Sequence, residues 1–197
     1  MIYLASPFFT PRQSETVRVV ENMLTRLNLA FFSPRQHGVN VSNLSEEERK
    51  GGTALTKVFE GNVRALDNST LLIACIDKSR TEDNHEEKNA DAGTMFEIGY
   101  FYRDAMAFNK AEDTFDAPKK SLRCPIALTF SGYGAKTNLM ISQAVAGHFN
   151  DLGAMEKFFK HVRKVIEPDV DHLPRDLWKQ LIVDYYDNLS SADIEEK

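Results

Sequence analysis

"TLLIACI", residues 70–76, is an unbroken apolar run held between polar residues. It is too short for a core helix, and its lack of alternation marks a strand buried on both faces. Three more runs read the same way: "IYLA" at 2–5, "LAFFSP" at 29–34, stopped by Pro34, and "PIALTF" at 125–130. Helical patterns separate them. "TPRQ", Thr10 to Gln13, supplies a Thr N-cap, a Pro at the first helical position and a Gln that can close a capping box. Val17, Val20, Met23, Leu24 and Leu27 then fall on one stripe, so this helix runs to about Leu27. In "ALTKVFEGNVRAL", 54–66, Leu55, Val58, Phe59, Val63 and Leu66 share a face despite Gly61, and "TMFEIGYFYRDAMAF", 94–108, is helical as well.

Strands alternating with helices predict a doubly wound parallel sheet of about five strands, flavodoxin-like or Rossmann-like, covered on both faces. A short helix after Thr137 and a weak fifth strand near 144–148 are expected, with helices over 151–166 and 174–188. The expected organisation is one α/β domain over residues 1–150 and a helical C-terminal extension, 151–197, packed on that domain. Residues 37–53 read as a loop or loose helix, and 77–88 and 110–121 as polar loops.

The 197-residue length suits a single domain, and 42% hydrophobic with 27% charged residues allows an ordinary core. A formal charge of −5 argues against nucleic acid as a partner, because phosphate contacts need a basic face. No apolar run approaches the roughly 20 residues that span a bilayer. The start, "MIYLASPFFTPRQ", has no basic region followed by a long apolar stretch, so no signal peptide is expected. Cys75 and Cys124 lie in strand-like runs and read as small buried hydrophobes of a reducing compartment, which makes a cytoplasmic location the expectation. The five histidines are scattered without ligand spacing, so no metal site is expected; the chemistry read below implies no cofactor.

In a sheet of this kind ligands bind beyond the carboxyl ends of the strands. The loops at 6–10, 33–38, 77–93 and 131–137 therefore share one rim. "SGYGAKT", 131–137, lacks phosphate-loop spacing. No G-x-S-x-G elbow is present. What the rim does carry is carboxylates, amides and aromatics, with Asp91 and Glu97 of "NADAGTMFEIGY", 89–100, across a loop–helix junction. An acid near a helix start often does no more than complement the helix dipole. Two that converge on a sugar-sized space can instead break a C–N glycosidic bond, one meeting the cationic sugar and the other protonating the departing base.

Four segments together resemble the nucleoside 2-deoxyribosyltransferase family over roughly residues 1–150. They are "IYLASPFF", 2–9; "FEGNVRALDNSTLLIACI", 59–76; "DAGTMFEIGY", 91–100; and "NLM", 138–140. The resemblance implies that Glu97 is the nucleophile at the anomeric carbon, Asp91 the acid that serves the base, and Tyr3 the hydroxyl that orients Glu97. It implies that Asn62, Gln36, Phe9 and Gly93 bind substrate. It further implies that Asn138 and Met140 reach the deoxyribose 5′-hydroxyl region, often from a neighbouring subunit. This chain has Asn62 where the family has Asp or Asn, so a second ionisable group is not supplied there. The implied activity is exchange of the base of a 2′-deoxyribonucleoside for a free nucleobase, in a homo-oligomer (a dimer or higher) with shared sites. Two alternatives stay open: an N-glycosidase passing the sugar of a nucleoside or nucleotide to water, and a nucleoside- or nucleotide-binding sensor without turnover. Asn138 favours a free 5′-hydroxyl, while Ser6 and Lys136 leave a phosphate open.

Overall fold

The computed structural model describes residues 1–40, 45–50, 52–76, 78–80, 86–111, 124–128, 139–165, 177 and 180–185. The strand read from residues 70–76 is β3, Leu71–Cys75, with every residue buried. It pairs in parallel with β1, Ile2–Ala5, on one side and with β6, Cys124–Leu128, on the other. Two-residue edges complete the sheet: β2, Phe31–Phe32, against β1, and β7, His148–Phe149, against β6. The order is β2-β1-β3-β6-β7. Numbered within this sheet alone, that is the 2-1-3-4-5 sequence of a flavodoxin-like doubly wound fold.

Alternation along the strands sorts the core into two layers. Ile2 and Leu4 with Leu71, Ile73 and Cys75 face α1, Pro11–Arg26, and α7, Leu152–Val165. Tyr3 and Ala5 with Leu72, Ala74 and Ile76 face α4, Thr53–Asp67, and α5, Ala92–Ala111. Helix α1 starts as its sequence predicts. Thr10 Oγ1 accepts from the Gln13 backbone N–H at 3.2 Å, and Gln13 Oε1 accepts from Thr10 N at 3.1 Å. The stripe of α7, Met155, Phe158, Phe159 and Val162, enters the same layer as α1, where Leu181, Ile182 and Tyr185 join it. Residues 180–185 are helical, and the rest of the helix expected over 174–188, apart from residue 177, lies outside the described residues.

Several expectations change in detail. The strand expected over 29–34 is only Phe31–Phe32, because Pro34 opens a short helix, α2, Pro34–His37. Pro has its φ preset for a first helical position and no N–H to lose there. Part of 37–53 is helix α3, Glu46–Lys50. The stretch 77–88 is not wholly loop: β4, Lys78–Arg80, and β5, Glu86–Ala90, form an antiparallel ribbon. Helix α5 is longer than expected at both ends. Only the Leu66 end of the apolar stripe of α4 reaches the core. Leu55 and Phe59 stand 72% and 54% exposed while Ala54, Ala65 and Leu66 are buried. The short helix expected after Thr137 is α6, Leu139–Ala144, which precedes β7. No helix among the described residues is long and apolar enough to cross a membrane.

Candidate active site

The rim expected beyond the strand ends is a cavity of about 590 Å³, a size usual for small-molecule sites, roughly 300–1,000 Å³. Ser6, Pro7, Phe8 and Phe9 after β1 form one wall. Pro34, Arg35, Gln36, Gly38, Val39 and Asn40 after β2 form a second. Val58 and Asn62 of α4 close a third side, and Asp91, Gly93, Thr94 and Glu97 at the start of α5 form the floor.

Each wall is held by local chemistry. The first is fixed by Gln13, whose Oε1 also accepts from Phe9 N at 3.0 Å. Phe8 and Phe9 stack at 5.3 Å, and Phe9 remains 77% exposed. In the second wall, Gly38 comes so close to the α2 backbone that a Cβ would lie 2.3 Å from the Pro34 carbonyl oxygen, so only glycine fits. On the floor, Asp91 caps α5. Its Oδ2 accepts from Thr94 N at 2.8 Å and from Thr94 Oγ1 at 3.0 Å. This is the helix-start role that the sequence alone allowed, and it aims the carboxylate at the cavity rim.

Glu97 lies three residues beyond buried Thr94 and one before buried Ile98, at the edge of the α5 core face. Its Oε1 accepts a 2.5 Å hydrogen bond from Tyr3 Oη, reaching across from β1. Tyr3 is wholly buried and stacks on Phe32 at 5.6 Å, which fixes its ring and therefore its hydroxyl. Burial raises the Glu97 pKa from 4.5 to about 7; the Tyr3 hydrogen bond opposes the rise and the charge of Asp91 adds to it. The Tyr3 phenol is pushed up by burial first and then by Glu97, so it stays a donor. A carboxyl that titrates near neutrality, beside a second carboxylate in a cleft, is the electrostatic pattern of a reactive site.

The structure thus brings Glu97, Asp91, Asn62, Gln36, Phe9 and Gly93 around one cavity, with Tyr3 behind Glu97. Met140 is not in that group. It is 77% exposed in the first turn of α6, beside Leu139 at 74%. Asn138, Lys136 and the 131–137 loop lie outside the described residues. Sequence reading missed Phe8, Val39 and Val58 as lining, because an apolar residue facing a cavity looks the same in sequence as one facing the core, and it missed Arg35 beside Gln36. It also missed Glu21, a wholly buried carboxylate of α1 bonded to Ser33, Arg35 and Gln36. Among the described residues no group of three or more His, Cys, Asp or Glu could hold a metal ion.

Fold and site together define a doubly wound α/β protein whose small-molecule cavity is floored by two carboxylates. The family model described as Nucleoside 2-deoxyribosyltransferase matches residues 2–140, and the chain belongs to that family. Among solved structures, it resembles the 2-deoxyribosyltransferase from the psychrotolerant bacterium Bacillus psychrosaccharolyticus. The TM-score is 0.52 and the identity 23%, over 88% of this chain and 97% of the other. It also resembles a conserved protein from Enterococcus faecalis V583, with a TM-score of 0.53 and 16% identity over 81% of this chain and 96% of that one. At these identities the likeness is one of fold. No curated protein matches the sequence.

Proposed function

We propose that the protein moves 2-deoxyribose from one base to another through a covalent deoxyribosyl–Glu97 intermediate. The family is one of enzymes that transfer deoxyribosyl groups. The observation that carries the finer reading is the 2.5 Å bond from Tyr3 Oη to Glu97 Oε1. It holds one carboxylate oxygen and leaves the other for attack. Desolvation that lifts Glu97 to about 7 also strips water from the nucleophile.

In the first displacement a Glu97 oxygen bonds to the anomeric carbon while the C–N bond breaks. The bonding pair leaves on the base nitrogen, and Asp91 supplies or relays the proton. In the second, a nitrogen of the incoming base attacks the same carbon, its proton returns to Asp91, and Glu97 departs as a carboxylate. Two displacements at one carbon retain configuration, and kinetics should be ping-pong. Stacked Phe8 and Phe9 offer an aromatic wall for the base, while Gln36 and Asn62 offer amides to its edge. Nothing in these steps calls on a metal or cofactor.

The substrates on this reading are a deoxyribonucleoside and a free nucleobase, in a salvage role in the cytoplasm. Assembly into a dimer or higher oligomer with shared sites is part of the same proposal. Leu139 and Met140 are exposed and are not among the described residues that line the cavity. Phe59, Phe96 and Tyr100 form an aromatic row at 6.2 and 6.1 Å, with Phe59 and Phe96 more than half exposed. Such a surface suits a stable subunit contact. The direct test supplies a deoxynucleoside with and without a second base and follows both products. A new nucleoside formed only with the second base supports transfer. Equal release of base in both arms, without a new nucleoside, refutes it in favour of hydrolysis.

A further inference from the structure

The steps above leave a wholly buried carboxylate unused. Glu21 sits inside α1, wholly inaccessible, and does not line the cavity. Its carboxylate receives donors from one short corner of chain. Ser33 Oγ donates to Oε1 at 2.6 Å. Arg35 Nε donates to both oxygens, at 3.2 and 3.1 Å, and its terminal nitrogen also donates to Oε2. Gln36 Nε2 donates to Oε2 at 2.8 Å. Arg35 and Gln36 then line the cavity itself.

We propose that Glu21 is a positioning residue that sets the Arg35 and Gln36 side chains at the base end of the cavity. The argument begins with energetics. Withdrawing a carboxylate from water is costly, and an apolar residue of similar volume would hold α1 against the β2–α2 corner at least as well. What an apolar residue cannot do is orient donors. A carboxylate accepts only, so it fixes the faces of the groups around it. The Gln36 nitrogen must turn towards Glu21, since its carbonyl oxygen would meet another acceptor there. That oxygen and the second amide hydrogen are left for a ligand. The guanidinium of Arg35, engaged along its Nε edge, is likewise prevented from swinging into the solvent.

The corner needs such an anchor. Helix α2 is a single turn, closed by Gln36 N and His37 N on the Ser33 carbonyl at 3.0 and 2.8 Å. Ser33 N in turn donates to His37 Nδ1 at 3.0 Å. These bonds shape the backbone but reach neither the Arg35 nor the Gln36 head group. The Glu21 carboxylate reaches both.

The inference rests on the transfer reading for its kinetic assay but not for its binding assay. Glu21→Gln keeps size and replaces one acceptor oxygen with a donor facing other donors. With native protein active in exchange, Glu21→Gln should raise the KM for the acceptor base at least tenfold while kcat stays within about threefold. Adding Glu21→Gln to Gln36→Ala should cost little more than Gln36→Ala alone. A purely structural Glu21 would lower the melting temperature and leave the base KM of the folded protein unchanged, and that result overturns the proposal. Should Glu21→Gln fail to fold, Ser33→Ala removes one donor at a position outside the cavity; a rise in base KM of about threefold is then expected, and no rise overturns it. Calorimetric titration with deoxynucleosides separates the two readings. A native protein that binds but never exchanges refutes transfer alone, whereas equal affinities of native protein and Glu21→Gln refute the role of Glu21.

Discussion

Replacing Glu97 with Gln should destroy exchange and, above neutral pH, make the protein more stable. Gln keeps the volume of Glu and an oxygen that can accept from Tyr3 Oη, so packing is undisturbed. What disappears is a buried charge. The Glu97 pKa is about 7 in the fold against 4.5 as the reference for an open chain. Between those values the unfolded chain has released a proton that the folded chain still holds, so native stability falls as pH rises through this window. A shift of that size corresponds to about 3 kcal/mol, fully felt above pH 7 and absent below about pH 4.5. Gln carries no such term. The stability difference, Glu97→Gln minus native, should therefore be near zero at pH 4.5, grow through pH 5–7 and level off at about 3 kcal/mol by pH 8. For a chain of this length that is roughly 6–12 °C in melting temperature. Urea melts of both proteins across this range measure it, and exchange assays of the same samples should show losses of several orders of magnitude. A difference independent of pH would mean that Glu97 is not desolvated in the fold. Retained exchange in folded Glu97→Gln would remove the nucleophile from the mechanism.

Tyr3→Phe deletes the bond that opposes the rise in the Glu97 pKa, so the acidic limb of the pH–rate profile should move to higher pH. Its rate near pH 7 should fall about 10- to 100-fold, the loss expected for a hydrogen bond to a charged group; an unmoved limb would contradict the geometry. Asp91→Asn preserves the cap on Thr94 but cannot donate an acidic proton, so exchange should drop about 10²- to 10⁴-fold. The loss should be greatest for poor leaving bases, and a uniform loss would make Asp91 a positioning group. Mixed Glu97→Ala and Asn138→Ala chains should regain activity through hybrid sites if Asn138 acts across the interface, as read in activity after proven subunit exchange. An active monomer in sedimentation rules out the shared site.

The core strands were legible because their burial on both faces leaves an apolar run that charge does not interrupt. The ribbon of β4 and β5 was not, since "KSR" and "EEKNA" carry none of the apolar alternation that marks a half-buried strand. Helix α4 misled in another way. Leu55 and Phe59 satisfy helical spacing, yet that spacing cannot say whether the stripe meets a core or remains open. At the site, Asp91 and Glu97 were legible from their place at a strand–helix junction, where topology puts ligands. Glu21 was not. Its neighbours in sequence place it one position from a core stripe, and only the fold of 33–36 back onto α1 reveals the four donors around its carboxylate.

The bond between Tyr3 and Glu97 joins residues 94 positions apart. A chain made from its N-terminus at about 5–20 residues per second therefore exposes the tyrosine roughly 5–20 s before its partner exists. For most of that interval β1 can dock only against β2, because β3, its other neighbour, is not complete until Cys75 has been added. Until Glu97 arrives the phenol has water as its acceptor. Closure of this one contact thus marks the moment when the front and middle of the chain have met in the right alignment. A slip of β1 by a single residue would present Ile2 or Leu4 to the helix that carries Glu97. Such a chain could be compact and still chemically inert. Catalytic competence, followed during refolding, would then report the arrival of the native topology more sharply than any measure of helix or strand content.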